Sequence, residues 1–424
     1  MATTKTKTKT IAGTTGGITL AGILIWLASL GGGGSPPPPT PTTRPSVAST
    51  TTSSTTTTVK PPAVSAVKRF GADDASWNQP AAKYGPAPDL QEYATRFFDY
   101  AGGADKPGTV SVAFGDYSIP VHDAAKATTI ARVYQTTWSQ ALYTTNVGAT
   151  MPWNPSWRPG TGNDNLMTII DYKTGTVWSV GGIGQLPVNC FDFFGPNGQA
   201  GYDINNPLHL CSSGVVRHEG AYTFKDGSTV DGRGMGINQI ALTVRAEEVR
   251  DGVIRHAVPV AITGTMFGAP ACSPLGDMKV PGAGVSCGTF VKPATKLERT
   301  NPNVGCAAQA VTEAERAKTV PEGMRFVLKI SDSEIEQWLD SRKFTGPLRR
   351  TAKIFAVALR DYGWIAAESG CFGSLIQTDS AIEGDAASIW RNELGITGTG
   401  NFPNGNLIDG LIKRDRIVVI QPPP

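Results

Sequence analysis

Acidic residues are absent from the first seventy-two positions of the 424-residue chain, cysteine is absent before Cys190, and histidine occurs only four times. The chain has no Cys-x-x-Cys pair and no His-Glu-x-x-His run, which argues against the common zinc motifs. It also lacks the Gly-Lys-Ser or Gly-Lys-Thr end of a nucleotide-binding P-loop. We therefore predict neither a bound metal nor a cofactor.

The missing acids at the start of the chain also determine how charge is distributed. The whole chain carries a formal net charge of +3, and seven lysines and arginines precede Asp73, the first acidic residue. The remainder is therefore slightly acidic, with a formal net charge of −4. A domain without a basic face lacks the electrostatic footprint of a nucleic-acid-binding protein, so nucleic acid is not an expected partner.

Long apolar runs are scarce, and the main one lies near the start. Residues 11–30 carry no charge and follow a basic segment, residues 1–10. About twenty such residues span the roughly 30 Å apolar core of a bilayer. We predict a single-pass transmembrane helix at 11–30, with residues 1–10 as a cytoplasmic tail. A cleaved secretory signal is the alternative, because small residues near Leu30 offer a cut site.

Residues 31–66 contain almost nothing that a folded core would bury. Glycine and serine give way to a proline run and then to threonine and serine. Such a segment cannot offset its ordering entropy, so we predict a disordered stalk. The folded, extracytoplasmic domain is expected to span residues 67–424. Nothing in the sequence indicates its oligomeric state.

All six cysteines lie in the expected extracytoplasmic domain, and an even number there indicates disulfides. Short loops favour two local pairs and leave a third, although fifteen pairings are possible. The favoured pairs are Cys190–Cys211, Cys272–Cys287 and Cys306–Cys371. Buried free thiols are the alternative.

The domain has a mainly β pattern, with short alternating runs separated by some of the 49 glycines and 31 prolines. Residues 165–182 are the clearest hairpin, because Lys-Thr-Gly separates two runs of β-formers. Helices are few. Residues 331–342 have Ser333 and Glu336 at capping-box spacing, and residues 345–363 carry an apolar stripe that Gly363 ends. We predict a β-sandwich or jelly-roll-like domain with a few short helices.

Residues 232–257, GRGMGINQIALTVRAEEVRDGVIRHA, open with three glycines. The glycine spacing and the strand-like continuation do not fit a dinucleotide fingerprint, which needs a helix after the loop. We predict glycine turns that lead into a core strand, then one helical turn at 246–249. A second strand is expected to begin at Val253 and to contain His256.

Residues 232–262, which extend this segment, resemble a segment found in secreted actinobacterial proteins and in proteins of their phages. Residues 163–180 and 358–370 resemble two further shared segments, in consistent order. The resemblance implies a secreted, carbohydrate-associated or cell-surface β-rich domain, and it transfers no catalytic residue. Met235 and Asn238 depart from it, since small or apolar residues are expected there.

Carboxylates and histidines are the candidate catalytic groups, because glycan hydrolysis needs two carboxyl groups facing one bond. Asp164 lies in a turn-rich loop before a strand. His218 and Glu219 are adjacent, and on a strand they point to opposite faces. His218 and His256 are candidate acids or bases, since histidine titrates near neutral pH.

Trp153 and Trp157 flank the same loop region, in the run PWNPSW. Aromatic faces suit the apolar faces of sugar rings, so we predict a substrate-binding platform there. Packing beneath a loop is the alternative role for these rings.

Two classes of function remain open. The first is a surface protein that binds a cell-envelope polysaccharide, another cell-wall component or a surface partner without catalysis. The second is a glycan-acting hydrolase or lyase. An enzyme should bring Asp164 or Glu219 to a second carboxylate or a histidine in a cleft, whereas a binding module should present an aromatic surface.

Overall fold

The computed structural model describes residues 67–101, 106–135, 150–162, 164–184, 203, 205–212, 214–227, 233–262, 290–296, 320–370, 373–398 and 402–424. No helix within these ranges is both long and apolar enough to cross a bilayer. The predicted tail at 1–10, membrane helix or signal at 11–30 and stalk at 31–66 lie outside the described residues.

The described part of the chain is β-rich, with several sheets and a few helices. Its strands are β1 Val110–Ala113, β2 Val121–Asp123, β3 Thr129–Gln135, β4 Thr150–Trp153, β5 Met167–Asp171, β6 Thr176–Gly181, β7 His209–Ser212, β8 Gly214–His218, β9 Val258–Ile262, β10 Arg325–Leu328, β11 Trp364–Ser369, β12 Ser374–Gln377 and β13 Ile417–Ile420. Its α-helices are α1 Glu92–Tyr100, α2 Ala246–Arg250, α3 Asp332–Ser341, α4 Gly346–Asp361 and α5 Ala387–Asn392. Single 3-10 turns occupy Ser76–Asn78, Ala81–Lys83, Pro88–Leu90, Ala124–Lys126, Gln239–Ala241 and Arg414–Arg416.

The strands form three sheets. The largest is mixed, in the order β1-β12-β9-β11-β10-β13, with β1 parallel to β12 and β9 parallel to β11. A four-stranded sheet has the order β2-β5-β6-β8, and a three-stranded sheet the order β4-β3-β7. The parallel pairs join segments far apart in the chain, as in β2 with β5 and β3 with β7.

The strands and helices pack around three hydrophobic cores. One sheet can contribute to two cores, because strand side chains alternate between the two faces of a sheet. Trp364 and Ala366 of β11 pack on the helices in the first, helix-side core. Ile365 and Ala367 point the other way, into an inter-sheet core shared with β2, β5 and β6. An outer core joins Ile169 and other residues of the four-stranded sheet to the three-stranded sheet.

The local predictions for the hairpin and the long helix are confirmed. β5 and β6 pair antiparallel across Lys173–Gly175, with Ile169 opposite Trp178. Helix α4 ends before Gly363, whose N–H donates to the carbonyl of Ala358 at 2.8 Å. The predicted capping box of α3 is two residues out of place, because Ser331 and Glu334 form it.

The predicted core strand after the glycine turns is wrong. Residues 237–244 form a 3-10 turn at Gln239–Ala241 instead, because the side chain of Asn238 accepts a hydrogen bond from the N–H of Ile240. The helical turn is confirmed as α2. The following strand begins at Val258, so His256 precedes it.

Gly363 supplies a stability prediction. Its φ is +76°, and an added Cβ would lie 1.9 Å from the carbonyl oxygen of Phe326. Gly410 has a similar φ of +73° with nothing within 4 Å of its Cβ position. We expect Gly410→Ala to lower the free energy of unfolding by about 1 kcal/mol through backbone strain, and Gly363→Ala by about 3 kcal/mol through strain plus the clash. Urea titration of the two variants measures the difference, and equal losses would contradict the clash.

Candidate functional site

Trp153 and Trp157 lie in the outer core, with only 7% and 6% of their surfaces exposed. Their rings meet edge to face at 5.9 Å, and the ring of His122 stacks on Trp157 at 4.7 Å. Neither indole presents an open face. The geometry therefore corrects the expected stacking platform at this loop, and the rings pack beneath it.

Glu219 follows β8 at the protein surface. Its carboxylate pairs with Arg217 and accepts a hydrogen bond from the Thr176 hydroxyl at 2.6 Å. The neighbouring His218 packs edge to face on Phe224. Both sides of the Arg217–Glu219 pair are exposed, and an exposed ion pair is a weak interaction. None of these interactions joins His218 or Glu219 to Asp164.

His256 is buried in a charged network with α2. Its Nε2 lies 3.1 Å from a carboxylate oxygen of Glu248, and its Nδ1 lies 2.9 Å from the carbonyl oxygen of Ala257. Arg245 donates to the other oxygen of Glu248 at 3.1 Å. Burial alone would raise the pKa of Glu248, but the two cations outweigh it and lower the pKa to about 2. The network holds α2 in the fold.

Asp164 lies in the loop that precedes β5. The carbonyl of Asp164 accepts a hydrogen bond from the N–H of Gly182 at 2.7 Å, just past the end of β6. The loop also packs closely on residues 117–118, since a Cβ at Gly160 would lie 2.2 Å from the Ser118 carbonyl. The N–H of Tyr117 donates to the carbonyl of Thr161 at 2.8 Å. The hairpin and this glycine-rich contact fix the position of Asp164.

Glu368 lies on β11, directly after a β-bulge, and its charge reaches Asp164. The pairing of β11 with β9 shifts between Ala366, opposite Val260, and Glu368, opposite Ala261. Val260 belongs to the helix-side core, so the partner of Glu368 lies on the opposite face. The bulge therefore turns Glu368 toward the inter-sheet core, the side on which the four-stranded sheet lies. Bulges redirect side chains in this way beside active sites.

Arg233 forms an ion pair with Glu368. Its Nη1 lies 3.3 Å from a carboxylate oxygen of Glu368, and its side chain is 1% exposed against 19% for the glutamate. Its Nη2 donates to the Gln239 carbonyl and to the Thr243 hydroxyl, each at 3.0 Å. The side chain of Gln239 in turn donates to the carbonyl of Met167 on β5 at 2.8 Å. The segment after the glycine turns thus ties the arginine to both sheets.

Asp164 holds its proton more tightly than an ordinary aspartic acid. Crowding by protein atoms, helped by the negative charge of Glu368, raises the pKa of Asp164 to about 6. Asp164 is nevertheless an exposed residue, so a ligand can reach it. Burial lowers the pKa of Arg233 to about 10 against the opposing effect of Glu368, and the guanidinium remains charged at neutral pH. The pair combines an accessible acid with a carboxylate held by a buried cation.

Backbone strain surrounds Asp164. Tyr117 has a φ of +61° and Asn165 a φ of +40°, and such values are rare for residues other than glycine. Strain of this kind collects at functional sites. The pKa of the Tyr117 hydroxyl is raised by burial first, and then by the charges of Asp164 and Asp116. The phenol therefore lies within electrostatic reach of two carboxyl groups.

The sequence indicated Asp164 but none of its neighbours in space. Glu368 lies 135 positions from Arg233 in the chain, and the bulge that turns it has no signature in the run WIAAESG. Arg233 lies among glycines that looked like turn residues only. The one available signal was a lone arginine inside the glycine run GRGMG. That signal is weak, because a charged residue between two turn glycines is usually exposed.

Several predicted features lie outside the described residues. Of the six cysteines, Cys211 is described; it is buried and disulfide-bonded. The pairing itself stays a prediction, because the other five cysteines fall outside the described ranges. The run GVSCG at 284–288, which was not among the predicted features, has the Gly-x-Ser-x-Gly spacing of a serine nucleophile and also lies outside the described ranges.

Within the described residues no group of three or more metal-ligating side chains could hold a metal ion. The candidate site consists of the residues that these ion pairs and charge effects connect, namely Asp164, Glu368, Arg233, Tyr117 and Asp116. No protein-family model, curated protein or solved structure matches the chain.

Proposed function

We propose that the domain is a glycan-acting hydrolase with Asp164 as its proton donor and Glu368 as its second carboxylate. One observation carries the proposal: an accessible aspartic acid with a raised pKa lies within electrostatic reach of a glutamate that pairs with a buried arginine. Glycosidases divide acid and base roles between two carboxyl groups in this way.

The chemistry divides between the two carboxyl groups. Protonated Asp164 gives its proton to the oxygen that leaves as the glycosidic C–O bond breaks. Glu368, paired with Arg233, faces the positive charge that develops on the sugar ring and accepts a proton from the attacking water. The sum is one water added across one C–O bond, and the enzyme regains its starting state when Glu368 passes the proton back through solvent to Asp164.

A non-catalytic surface protein that binds an envelope polysaccharide is the competing function. It would need an aromatic surface, and the loop that the sequence offered for one has its two tryptophans buried. We also propose a sandwich-like stacking of the sheets, supported by the inter-sheet and outer cores, which separate sheets as in packed β-sandwiches. The proposed setting is extracytoplasmic, with residues 11–30 as anchor or signal.

Incubation of the full-length chain with cell-envelope polysaccharides tests the function. New reducing ends should accumulate with time and with protein concentration, and the rate should fall as pH rises above about 6, where Asp164 loses its proton. Pull-down of a polysaccharide without any release of reducing ends would favour the binding protein instead. A variant with Asp415→Asn, an exposed acid in the turn before β13, is the matched control and should keep full activity.

A further inference from the structure

We infer that a cavity between helix α4 and the loop after α2 binds a small organic anion with an aliphatic body, a medium-chain carboxylate. The cavity has a volume of about 250 Å³, and its lining comprises residues 252–254 of the loop and Arg350, Lys353, Ile354, Val357 and Ala358 of α4. It lies on the helix side of the six-stranded sheet, whereas Glu368 turns to the opposite face. The inference is therefore independent of the proposed function.

The walls of the cavity are aliphatic. The five lining residues of α4 share one face of the helix, because side chains three and four positions apart are neighbours. Ile354 and Ala358 belong to the helix-side core, while Val253 and Val357 are half-buried, so part of their surface is open to a ligand. An apolar cavity of about 150 Å³ holds a benzene ring, so about 250 Å³ has room for a chain of several carbon atoms.

Arg350 supplies a cation without a carboxylate partner. Its Nη2 donates to the carbonyl of Arg250 at 2.6 Å, which holds the guanidinium against the end of α2. A guanidinium has five N–H donors, so others remain for a ligand. The other two arginines of α4, Arg349 and Arg360, pair with acidic side chains, whereas Arg350 forms no ion pair within the described ranges. The charge of Arg350 is therefore available to an anion.

Lys353 adds a second positive charge one helical turn away. Its Nζ lies 2.5 Å from Glu336 of α3, and its side chain remains 50% exposed. Arg349 pairs with both Glu336 and Asp340, so these four groups balance and the charge of Arg350 is left over. No carboxylate belongs to the cavity lining that the described residues form. A carboxylate head beside Arg350 gains charge-assisted hydrogen bonds while its chain leaves water.

Three probes with the same chain test the class of ligand on the unaltered full-length protein: hexanoate, hexan-1-ol and hexylammonium. Ligand-observed NMR titration gives each Kd. We expect hexanoate to bind at least about tenfold more tightly than hexan-1-ol, and hexylammonium more weakly than both, because only the carboxylate attracts the cations. Acetate should bind at least about tenfold more weakly than hexanoate, since it lacks the chain that the aliphatic walls would bury. No binding of hexanoate, or equal binding of hexan-1-ol or acetate, would overturn the inference.

Arg350→Gln tests whether hexanoate binds at this cavity. The change removes the leftover cation at an exposed position, and it should raise the Kd of hexanoate about tenfold with the Kd of hexan-1-ol within twofold. Lys329→Gln, which removes an exposed lysine outside the lining, is the matched control and should change neither constant. An unchanged Kd in Arg350→Gln, or an equal loss in Lys329→Gln, counts against the inference.

The comparison of hexanoate with hexan-1-ol on the unaltered chain decides the inference if Arg350→Gln fails to fold. Polysaccharide cleavage enters neither readout, so failure of these tests leaves the proposed function standing.

Discussion

Replacing Asp164 with asparagine should lower kcat/KM for polysaccharide cleavage by about a hundredfold to ten-thousandfold, the range that a general acid contributes. Asparagine keeps the size of the side chain and cannot donate a proton to the leaving oxygen. In the unaltered chain, kcat/KM should fall about tenfold per pH unit well above pH 6, because the pKa of Asp164 is raised to about 6. That fall should disappear from the residual activity of Asp164→Asn.

The same variant carries its own folding control. A carboxyl group whose pKa is raised in the folded state opposes folding at pH values above that pKa, since the folded state disfavours the ionised form. Asp164→Asn removes this penalty, so its melting temperature at pH 7 should equal or exceed that of the unaltered chain. A less active protein that also melts earlier would point to damage rather than to lost chemistry. Glu368→Gln is a weaker test, because it leaves Arg233 buried without its counterion.

Replacing Glu248 with glutamine should lower the free energy of unfolding at pH 7 by about 3–5 kcal/mol, the cost of breaking a buried ion pair. The carboxylate lies 3.1 Å from a nitrogen of Arg245 and 3.1 Å from one of His256, with all three side chains at most 5% exposed. Glutamine leaves the Arg245 guanidinium in the interior without its counterion. Urea titration at pH 7 measures the loss, with exposed Glu393→Gln as the matched control.

The effect of Glu248→Gln should also depend on pH. The pKa of Glu248 is lowered from its ordinary range to about 2, so the stability that it contributes is present above the unfolded-state pKa, about 4.3. That contribution is lost as the pH falls through the folded-state pKa. The two proteins should therefore converge in stability between pH 5 and pH 2. A constant difference over this range would contradict the assignment of the charge to Glu248.

The elements that the sequence predicted well are those whose signal is local. The β5–β6 hairpin follows from alternation around a glycine turn, and α4 follows from an apolar stripe that ends at Gly363. The failed strand at 237–244 had the same apolar content. There Asn238 caps a turn, and Gln239 and Thr243 direct their polar groups to β5 and to Arg233. Side-chain hydrogen bonds of this kind compete with strand pairing and are not visible in apolar periodicity.

Only part of the candidate site could be predicted from the sequence, because its residues come together through tertiary structure. Asp164 stood out as an acid in a turn-rich loop beside a strand. Glu368 and Arg233 come together across more than a hundred residues of chain, and the direction of Glu368 depends on pairing between β9 and β11. The predicted sugar-binding platform at Trp153 and Trp157 failed for a related reason. Aromatic residues in a loop have the composition of a sugar platform, but their burial depends on the sheet beneath them.

The bulge in β11 makes the number of residues in this strand as important as their identity. Ala367 is the residue that the pairing skips, and its carbonyl accepts a hydrogen bond from the N–H of Met235 at 2.9 Å. If Ala367 paired with Ala261 in regular register instead, alternation would turn Glu368 to the face of Val260, into an apolar layer of helices and away from Arg233. Among homologues, position 367 should therefore hold a small residue, because Ala367 is fully buried in the inter-sheet core, and the strand should keep this extra residue, whose carbonyl binds Met235.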